Sequence, residues 1–271
     1  MRQQKSSQEV QIFGSRKSIK DFLGKLNLIA TFLIALTVFA VFASAMLIPV
    51  NDNAKGKAKA PENSPVIDEN WDLERVDFIH YVKPENLGKS AKTDSCYKLM
   101  GVKWKSLPVS YIINPSNPEG LSESFVTSAI STSAETWDTS TASELFNNVY
   151  GIDYTATYGI QNFVNVVDFG DYPDDRVIAV TSVWYTPVGR QIVEFDIRFN
   201  TRFSWGNADL NPGLMDLQNI ATHELGHSFG LADIYSTACA EVTMYGYSTE
   251  GEVKKRTLEQ PDIIGIQKLY G

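Results

Sequence analysis

Two histidines and a glutamate stand close together near the start of the stretch from His223 to Asp233, and their spacing suits metal-assisted hydrolysis. Side chains four residues apart on a helix lie one above the other, so the imidazoles of His223 and His227 can hold one metal ion. Glu224 then lies near that ion without having to bind it. Its carboxylate can take a proton from a water that the ion activates. The chemistry that this arrangement predicts is attack by an activated water.

A third ligand is expected a few residues further on. Gly230, three residues after His227, can adopt the left-handed conformation that ends a helix and turns the chain sharply. That turn would bring Asp233 back to the metal. Three protein ligands with a fourth position for water are typical of a catalytic zinc site, whereas structural zinc sites use four protein ligands. The stretch therefore predicts catalytic zinc held by His223, His227 and Asp233.

The residues before the histidines predict the helix that must carry them. Asp216 can cap its N-terminus by accepting a hydrogen bond from a free backbone N–H group. The apolar side chains that follow keep helical spacing, at Leu217, Ile220, Ala221 and Leu225. A buried helix is therefore expected, although a His-Glu-x-x-His pattern can also arise by chance on a surface helix.

Two further blocks make the pattern specific. A Met-Tyr-Gly stretch follows Asp233 at short range, from Met244 to Gly246, and the chain closes with Asp-Ile-Ile-Gly-Ile-Gln-Lys-Leu-Tyr-Gly. The extended zinc motif with its methionine turn resembles the metzincin clan of zinc proteases. The closing block resembles the matrixin branch of that clan. The likeness covers roughly residues 104–271. Matrixins place a histidine where this sequence has Asp233, and in that respect the sequence is similar to snapalysin-type metzincins.

The resemblance implies an α+β metzincin (zincin-like) fold. It has a twisted, mostly parallel five-stranded sheet with an edge strand, an active-site helix and a C-terminal helix. Val177–Tyr185 would be the exposed edge strand along which an extended substrate lies; the alternative is an ordinary interior strand. Met244 would pack beneath the ligands without binding the metal. Tyr245 and Tyr247 would line the substrate pocket or simply pack.

Periodicity in residues 104–271 agrees with that order of elements. Ser122 caps a helix with apolar side chains at helical spacing, and a strand is expected at residues 107–113. Further strand-like runs lie near residues 153–158, 163–169, 177–185 and 192–200. A Pro-Val-Gly turn at residues 187–189 favours a hairpin between the last two.

The N-terminal part divides into four segments. Residues 1–27 are basic, and residues 28–50 carry no charge and would span about 34 Å as a helix, enough to cross a bilayer. The sequence therefore predicts a transmembrane signal anchor with a cytoplasmic N-terminus, or a signal peptide cleaved near Ala43-Ser-Ala. In either case the catalytic part works outside the cytoplasm, membrane-anchored or secreted. Residues 51–70 have the composition of a linker, and residues 71–103 form an N-terminal extension or a prosegment.

The extension contains one strand-like run, at residues 76–81. It lacks the Pro-Arg-Cys-Gly type of sequence that matrixin prosegments carry. His80 is expected to be a half-exposed strand residue, with metal binding as the alternative. The sequence leaves open whether this segment inhibits the enzyme or only packs on the domain.

The two cysteines, Cys96 and Cys239, are expected to form a disulfide, because isolated pairs in oxidising surroundings are most simply bridged. The bridge would fix the loop between Asp233 and Met244 against the N-terminal edge of the domain. The alternative is that Cys96 inhibits the enzyme as a thiolate on zinc.

Charge and histidine counts limit the remaining possibilities. The net charge is −8, and residues 51–271 carry −12, which argues against nucleic acid and anionic membrane surfaces as partners of the catalytic part. Only three histidines are present, so a second, structural zinc is not expected. Asp171, Asp174 and Asp175 could bind calcium or could form a solvated turn.

The expected function is that of a zinc-dependent endopeptidase that cleaves protein or peptide substrates. Two alternatives remain. The fold could serve as a non-catalytic surface binding module, although Glu224 would then have no purpose. The protein could also be a zinc exopeptidase or an amidase of small substrates.

Overall fold

The computed structural model describes residues 72–88 and 95–271. The expected transmembrane segment at residues 28–50 and the whole linker at residues 51–70 lie outside the described residues, as do residues 1–27, 71 and 89–94. Among the residues that are described, no helix is long and apolar enough to span a bilayer.

Three α-helices lie in the described part of the chain, and two of them begin as the sequence predicts. Helix α1, Glu123–Asp138, is capped by Ser122, whose hydroxyl accepts a hydrogen bond from the N–H of Phe125. Helix α2, Leu217–Ser228, is capped by the carboxylate of Asp216, which accepts from the N–H of Asn219. Helix α3, Gln260–Tyr270, begins in a capping box formed by Glu259 and Asp262. Each cap satisfies backbone donors that a helix leaves free at its first turn.

Nine strands complete the described fold. They are β1 (Glu74–Val82), β2 (Ile112–Ile113), β3 (Gly151–Ile152), β4 (Val166–Gly170), β5 (Val177–Tyr185), β6 (Ile192–Asn200), β7 (Trp205–Gly206), β8 (Met215–Asp216) and β9 (Tyr247–Ser248). Seven form one sheet in the order β3-β2-β4-β6-β5-β1-β9, and β7 pairs with β8. Neighbouring strands from β3 to β6 are parallel, β5 is antiparallel to β6, and β1 is antiparallel to β5. The resemblance implied a mostly parallel five-stranded sheet. The first five strands of the observed order, β3-β2-β4-β6-β5, are mostly parallel, but β1 and β9 extend the sheet to seven strands.

The prediction that Val177–Tyr185 is an exposed edge strand was wrong. In the structure β5 lies between β6 and β1, and eight of its nine residues are buried. Eight of the nine residues of β1 run antiparallel along its whole length, from Glu74 opposite Tyr185 to Tyr81 opposite Val177. The extension before the catalytic domain therefore adds a strand to the sheet. A motif-based prediction for residues 104–271 does not include that strand.

Two local predictions also differ from the structure. Residues 153–158 form turns rather than a strand, because the short strand here, Gly151–Ile152, ends just before Asp153, whose carboxylate accepts from the N–H and hydroxyl of Thr155. Such side-chain bonds to nearby backbone favour turns over sheet. Of residues 107–113, only Ile112–Ile113 form a regular strand, preceded by an isolated bridge at Val109.

The core lies between the sheet and the helices. Helices α1 and α2 face each other, and Trp137 of α1 is fully buried with its indole N–H donating to the carbonyl of Thr222, 2.8 Å away. Phe195 and Phe199 of β6 enter the same core from the sheet. Burial of these large apolar side chains helps to hold α2 against the sheet.

The predicted disulfide is present. Cys96 and Cys239 are bridged, with their Cα atoms 5.5 Å apart. Cys239 packs in a small apolar cluster with Ile234, Val242 and Tyr245. The bridge therefore ties the chain just before the domain to the loop between Asp233 and Met244, as the sequence analysis expected.

Candidate active site

Helix α2 brings His223 and His227 together and sets the orientation of each ring. Nδ1 of His223 lies 2.7 Å from the carbonyl oxygen of Thr243, and Nδ1 of His227 lies 2.9 Å from that of Leu231. A carbonyl oxygen only accepts, so each ring carries its proton on Nδ1. Both Nε2 atoms are then bare lone-pair donors. They face each other at 3.1 Å, and neither carries a proton that it could donate to the other.

The turn after α2 returns the chain to these two nitrogens. Gly230 has a φ angle of +93°, and a Cβ atom there would lie 2.4 Å from the carbonyl oxygen of Val102. Only glycine fits this position, both for its backbone angle and for the close contact. Asp233 follows, and its Oδ1 lies 3.2 Å from Nε2 of His223 and 3.5 Å from Nε2 of His227. The structure therefore brings together the three side chains that the sequence predicted as ligands.

The donor set has the composition and spacing for a zinc ion. Ligand atoms about 2.0–2.1 Å from a tetrahedral zinc lie about 3.3 Å from one another, and the three separations here are 3.1, 3.2 and 3.5 Å. Oδ1 of Asp233 is buried and has no hydrogen-bond partner within the described part of the chain. Two unprotonated imidazole nitrogens and a buried carboxylate oxygen facing one point need a cation between them.

Glu224 points from the next position of α2 toward the sheet. Its Oε2 accepts a hydrogen bond from the hydroxyl of Thr181 on β5, 2.5 Å away. Its Oε1 lies 3.0 Å from Nδ1 of His80. The side chain is fully buried, and this burial raises the pKa of Glu224 to about 7. A carboxyl group with a pKa near neutrality is suited to exchanging protons with a reacting water.

Met244 lies against helix α2 between the two histidines, and its role as a floor beneath the ligands stays a prediction. Its sulfur lies against the backbone of α2 at Gly226, where a Cβ atom would be only 2.4 Å from it. Met244 is buried. Asp262 of helix α3 accepts from the N–H groups of Thr243 and Met244 at 2.8 and 3.1 Å. Asp262 lies in the closing block of the sequence, and nothing in its sequence neighbourhood indicates this contact.

The expectation that His80 is half-exposed was wrong. His80 is fully buried, and its ring lies 4.0 Å from that of His223, centroid to centroid. Two residues earlier, the ring of Phe78 stacks on His227 at 4.2 Å with 6° between the planes. Strand β1 therefore lies directly over the ligand cluster. Alternation of inward side chains at residues 76, 78 and 80 was the available signal, but the sequence alone does not tell which surface the strand covers.

Lys255 is a further functional residue that sequence reasoning missed. Its side chain is fully buried, and its ammonium donates to the backbone carbonyls of Tyr245 and Tyr247. Its Nζ lies 3.2 Å from Nε2 of His80 and 3.9 Å from the nearest carboxylate oxygen, on Glu252. Burial lowers the pKa of Lys255 to about 8, against the attraction of that carboxylate.

Two of the three aspartates suggested for calcium are paired with arginines. Arg202 lies 2.8 Å from Asp171, and Arg176 lies 2.8 Å from Asp174. These contacts neutralise carboxylates that a calcium ion would need. Calcium binding by Asp171, Asp174 and Asp175 stays a prediction.

Comparison with known proteins agrees with the geometry. The family model described as matrixin matches residues 103–271. Human neutrophil collagenase is 30% identical over 174 residues, covering 62% of this chain and 33% of that protein. Mouse matrix metalloproteinase-25 is 27% identical over 177 residues (65% of this chain, 28% of that protein), and mouse stromelysin-1 is 47% identical over 53 residues (19% and 10%). The chain thus spans about a third or less of the length of these relatives.

The matched region contains the whole ligand cluster, Glu224, the methionine turn and helix α3. Strand β1 lies before the matched region. The disulfide crosses its N-terminal boundary, because Cys96 precedes the matched region and Cys239 lies within it. Since the family model covers well over half of the chain, the chain belongs to the matrixin family of zinc metallopeptidases.

Proposed function

We propose that this protein is a zinc-dependent endopeptidase that hydrolyses extracellular or cell-surface proteins. The observation that carries the proposal is the cluster of two bare imidazole nitrogens and one carboxylate oxygen with the carboxylate of Glu224 next to it on the same helix. His223, His227 and Asp233 would hold the zinc. The Asp233 ligand departs from the family's third histidine, but two histidines and a carboxylate form a well-known catalytic set.

When bound at this cluster, zinc acidifies water and polarises a carbonyl group. The chain's own contribution is the proton transfer. Glu224 accepts a proton from the attacking water and then gives it to the leaving nitrogen of the cleaved bond. Thr181 donates to Oε2 of Glu224 and so directs the carboxylate, leaving Oε1 for the water. In the present structure His80 occupies the partner position at Oε1.

Cleavage within chains is supported by the path of β1. This strand enters at Glu74, passes the ligand cluster at residues 78–80 and continues beyond it to Val82, pairing with β5 from Glu74 to Tyr81 and with β9 at Tyr81 and Val82. The cleft is therefore open at both ends to an extended chain, which suits an endopeptidase better than an exopeptidase. Pairing with backbone groups along a strand gives affinity for many sequences. Residues 74–82 must leave the cleft before another chain can occupy it.

The test uses the full chain with two prolines in β1, Ile79→Pro and Tyr81→Pro, referred to as the open-cleft variant. Proline removes a backbone donor and is not tolerated within a central strand. The N–H of Tyr81 donates to the carbonyl of Gly246, and Ile79 lies opposite Val180. The matched control has alanine at both positions, which keeps every backbone donor.

The zinc-loaded open-cleft variant should cleave an unfolded protein at internal bonds. The alanine control should cleave it more slowly, and dipeptides should not be hydrolysed. Adding Glu224→Gln should abolish cleavage while zinc stays bound. Absence of cleavage by a folded, zinc-loaded open-cleft variant would contradict the proposal.

A non-catalytic binding module is the second candidate, because the cleft is filled by the chain's own strand. In that case the open-cleft variant would bind unfolded protein without cleaving it.

The location, like the substrate, is a proposal. The catalytic part lies outside the cytoplasm and is either anchored through residues 28–50 or secreted. Its partners would be protein substrates and, through that segment, the membrane, with no nucleic acid.

A further inference from the structure

The imidazole of His80 fills a buried pocket beside helix α2, which we call the His80 pocket. It is formed by His223 and Glu224 of α2, Ser248 of β9, and Lys255. The ring of His80 lies 4.0 Å from that of His223, and its two nitrogens lie 3.0 Å from Glu224 and 3.2 Å from Lys255. Glu224, Ser248 and Lys255 are each fully buried. The pocket is thus next to the reacting centre and accepts one side chain from the strand above it.

Strand β1 lies in the cleft with backbone partners on both sides. It is antiparallel to β5, and at its end it is parallel to β9, with the N–H of Tyr81 donating to Gly246 and that of Lys83 to Ser248. These are backbone contacts, so any extended peptide can make them. Alternate side chains of a strand face the same side. A peptide bound in the place and direction of β1 would therefore insert one side chain into the His80 pocket.

Lys255 determines what that side chain must offer. An ammonium group has three N–H donors, and here the acceptors are the carbonyls of Tyr245 and Tyr247 and Nε2 of His80. The hydroxyl of Ser248 lies 3.0 Å from Nε2 of His80 and donates to Glu252 at 2.9 Å, and within the described residues it is not among the hydrogen-bond acceptors of Lys255. When an occupant has no acceptor, one donor of a fully buried ammonium is left without a partner, which is costly.

We propose that Lys255 is a specificity-determining residue and that the His80 pocket selects a neutral side chain with a hydrogen-bond acceptor at its end, such as glutamine or histidine. Aliphatic side chains of the same length leave the third donor of Lys255 unmatched. A glutamate would satisfy Lys255 but would place a second carboxylate beside Glu224. This inference rests on the proposed function only in taking the cleft of β1 as the peptide-binding cleft.

The probe is a synthetic peptide with the sequence of residues 72–86, with histidine, glutamine or methionine at position 80. Glutamine and methionine have nearly the same length and shape, but methionine has only a weak sulfur acceptor. Binding of each peptide to the full-length open-cleft variant is measured by fluorescence anisotropy. The glutamine and histidine peptides should bind at least about tenfold more tightly than the methionine peptide, given the cost of an unmatched buried donor. Lys255→Met in the same background should abolish the preference for glutamine over methionine.

A second measurement needs no open cleft and no catalysis. His80→Gln and His80→Met are made in the otherwise unchanged chain, and the rate at which a protease cuts β1 is compared. His80→Met should release β1 at least about tenfold more readily than His80→Gln, because only glutamine gives Lys255 an acceptor. Equal release by the two variants, or methionine binding as tightly as glutamine in the first experiment, would overturn the proposal.

The two proposals fail in different ways. If the peptides bind in the expected order but the open-cleft variant cleaves no protein, the endopeptidase function is wrong and the pocket assignment stands. If protein is cleaved but the methionine peptide binds as well as the glutamine peptide, the function stands and the role of Lys255 is wrong.

Discussion

Nδ1 of His223 lies 2.7 Å from the carbonyl oxygen of Thr243, and this contact links a candidate zinc ligand to the methionine turn twenty residues later. The N–H of Thr243 donates in turn to Asp262, which also accepts from Met244. One peptide unit thus orients the imidazole on one side and is held by the C-terminal helix on the other. Such outer contacts fix the ring and the tautomer of a metal-binding histidine.

Replacing Asp262 with asparagine tests this link. Asparagine has one acceptor oxygen where aspartate has two, so at least one of the N–H groups of Thr243, Met244 and Glu259 loses its partner. We expect a loss of about 1–3 kcal/mol in the free energy of unfolding and a zinc affinity lower by roughly 10- to 100-fold. Urea unfolding and competition with a chelating dye measure the two effects. Glu250→Gln, an equal charge change at an exposed site, should alter neither.

The sequence predicted this site well where the chemistry is local. The spacing of His223 and His227 follows from the period of one helix, and the return of Asp233 follows from the turn that Gly230 permits. Both depend on residues within eleven positions. The caps at Ser122 and Asp216 were predictable for the same reason, since a cap involves only the first turn of its own helix.

Contacts between distant segments were not predictable in this way. His80 reaches Glu224 across 144 positions, and Lys255 reaches His80 across 175. Nothing in the neighbourhood of either residue encodes which strand covers the catalytic helix. The burial of Lys255 was also hidden, because a lysine between Lys254 and Arg256 is typical of a solvated surface.

Zinc should stabilise the folded chain through the proposed ligands. A ligand that binds only the folded state adds about 2.7 kcal/mol at a concentration of 100 Kd, so Tm should rise on addition of zinc and fall again with a chelator. Asp233→Ala removes one donor of the cluster and should greatly reduce that rise. Differential scanning calorimetry with and without zinc measures the effect. Asp175→Ala serves as the control, because Asp175 is exposed and outside the cluster. An undiminished zinc effect in Asp233→Ala would remove Asp233 from the ligand set.

The disulfide should contribute strongly to stability because it closes a long segment of chain. Cys96 and Cys239 are 143 residues apart, and removing a native bridge typically costs about 2–5 kcal/mol. We expect the free energy of unfolding of the double variant Cys96→Ser, Cys239→Ser, measured by urea unfolding, to be lower by that amount. Zinc affinity should fall as well, since the bridge holds the loop that follows Asp233. A variant as stable as the reduced wild-type protein is expected, and one as stable as the oxidised protein would contradict this role.

Asp196 should make the protein less stable as the pH rises toward neutrality. This side chain is buried in β6, and burial raises the pKa of its carboxyl to about 7, although the N–H groups of Gly159 and Val166 donate to it. The folded state therefore keeps a proton that the unfolded chain releases near pH 4. Stability from this group is present in full below about pH 4 and is lost progressively as the pH rises from there to about 7. Asp196→Asn cannot ionise, so its free energy of unfolding should fall less than that of the wild type between pH 5 and pH 7.5 (values chosen to fall within and just above that window). Urea unfolding of both proteins at the two pH values gives the difference, and equal falls would show that Asp196 does not titrate in this range.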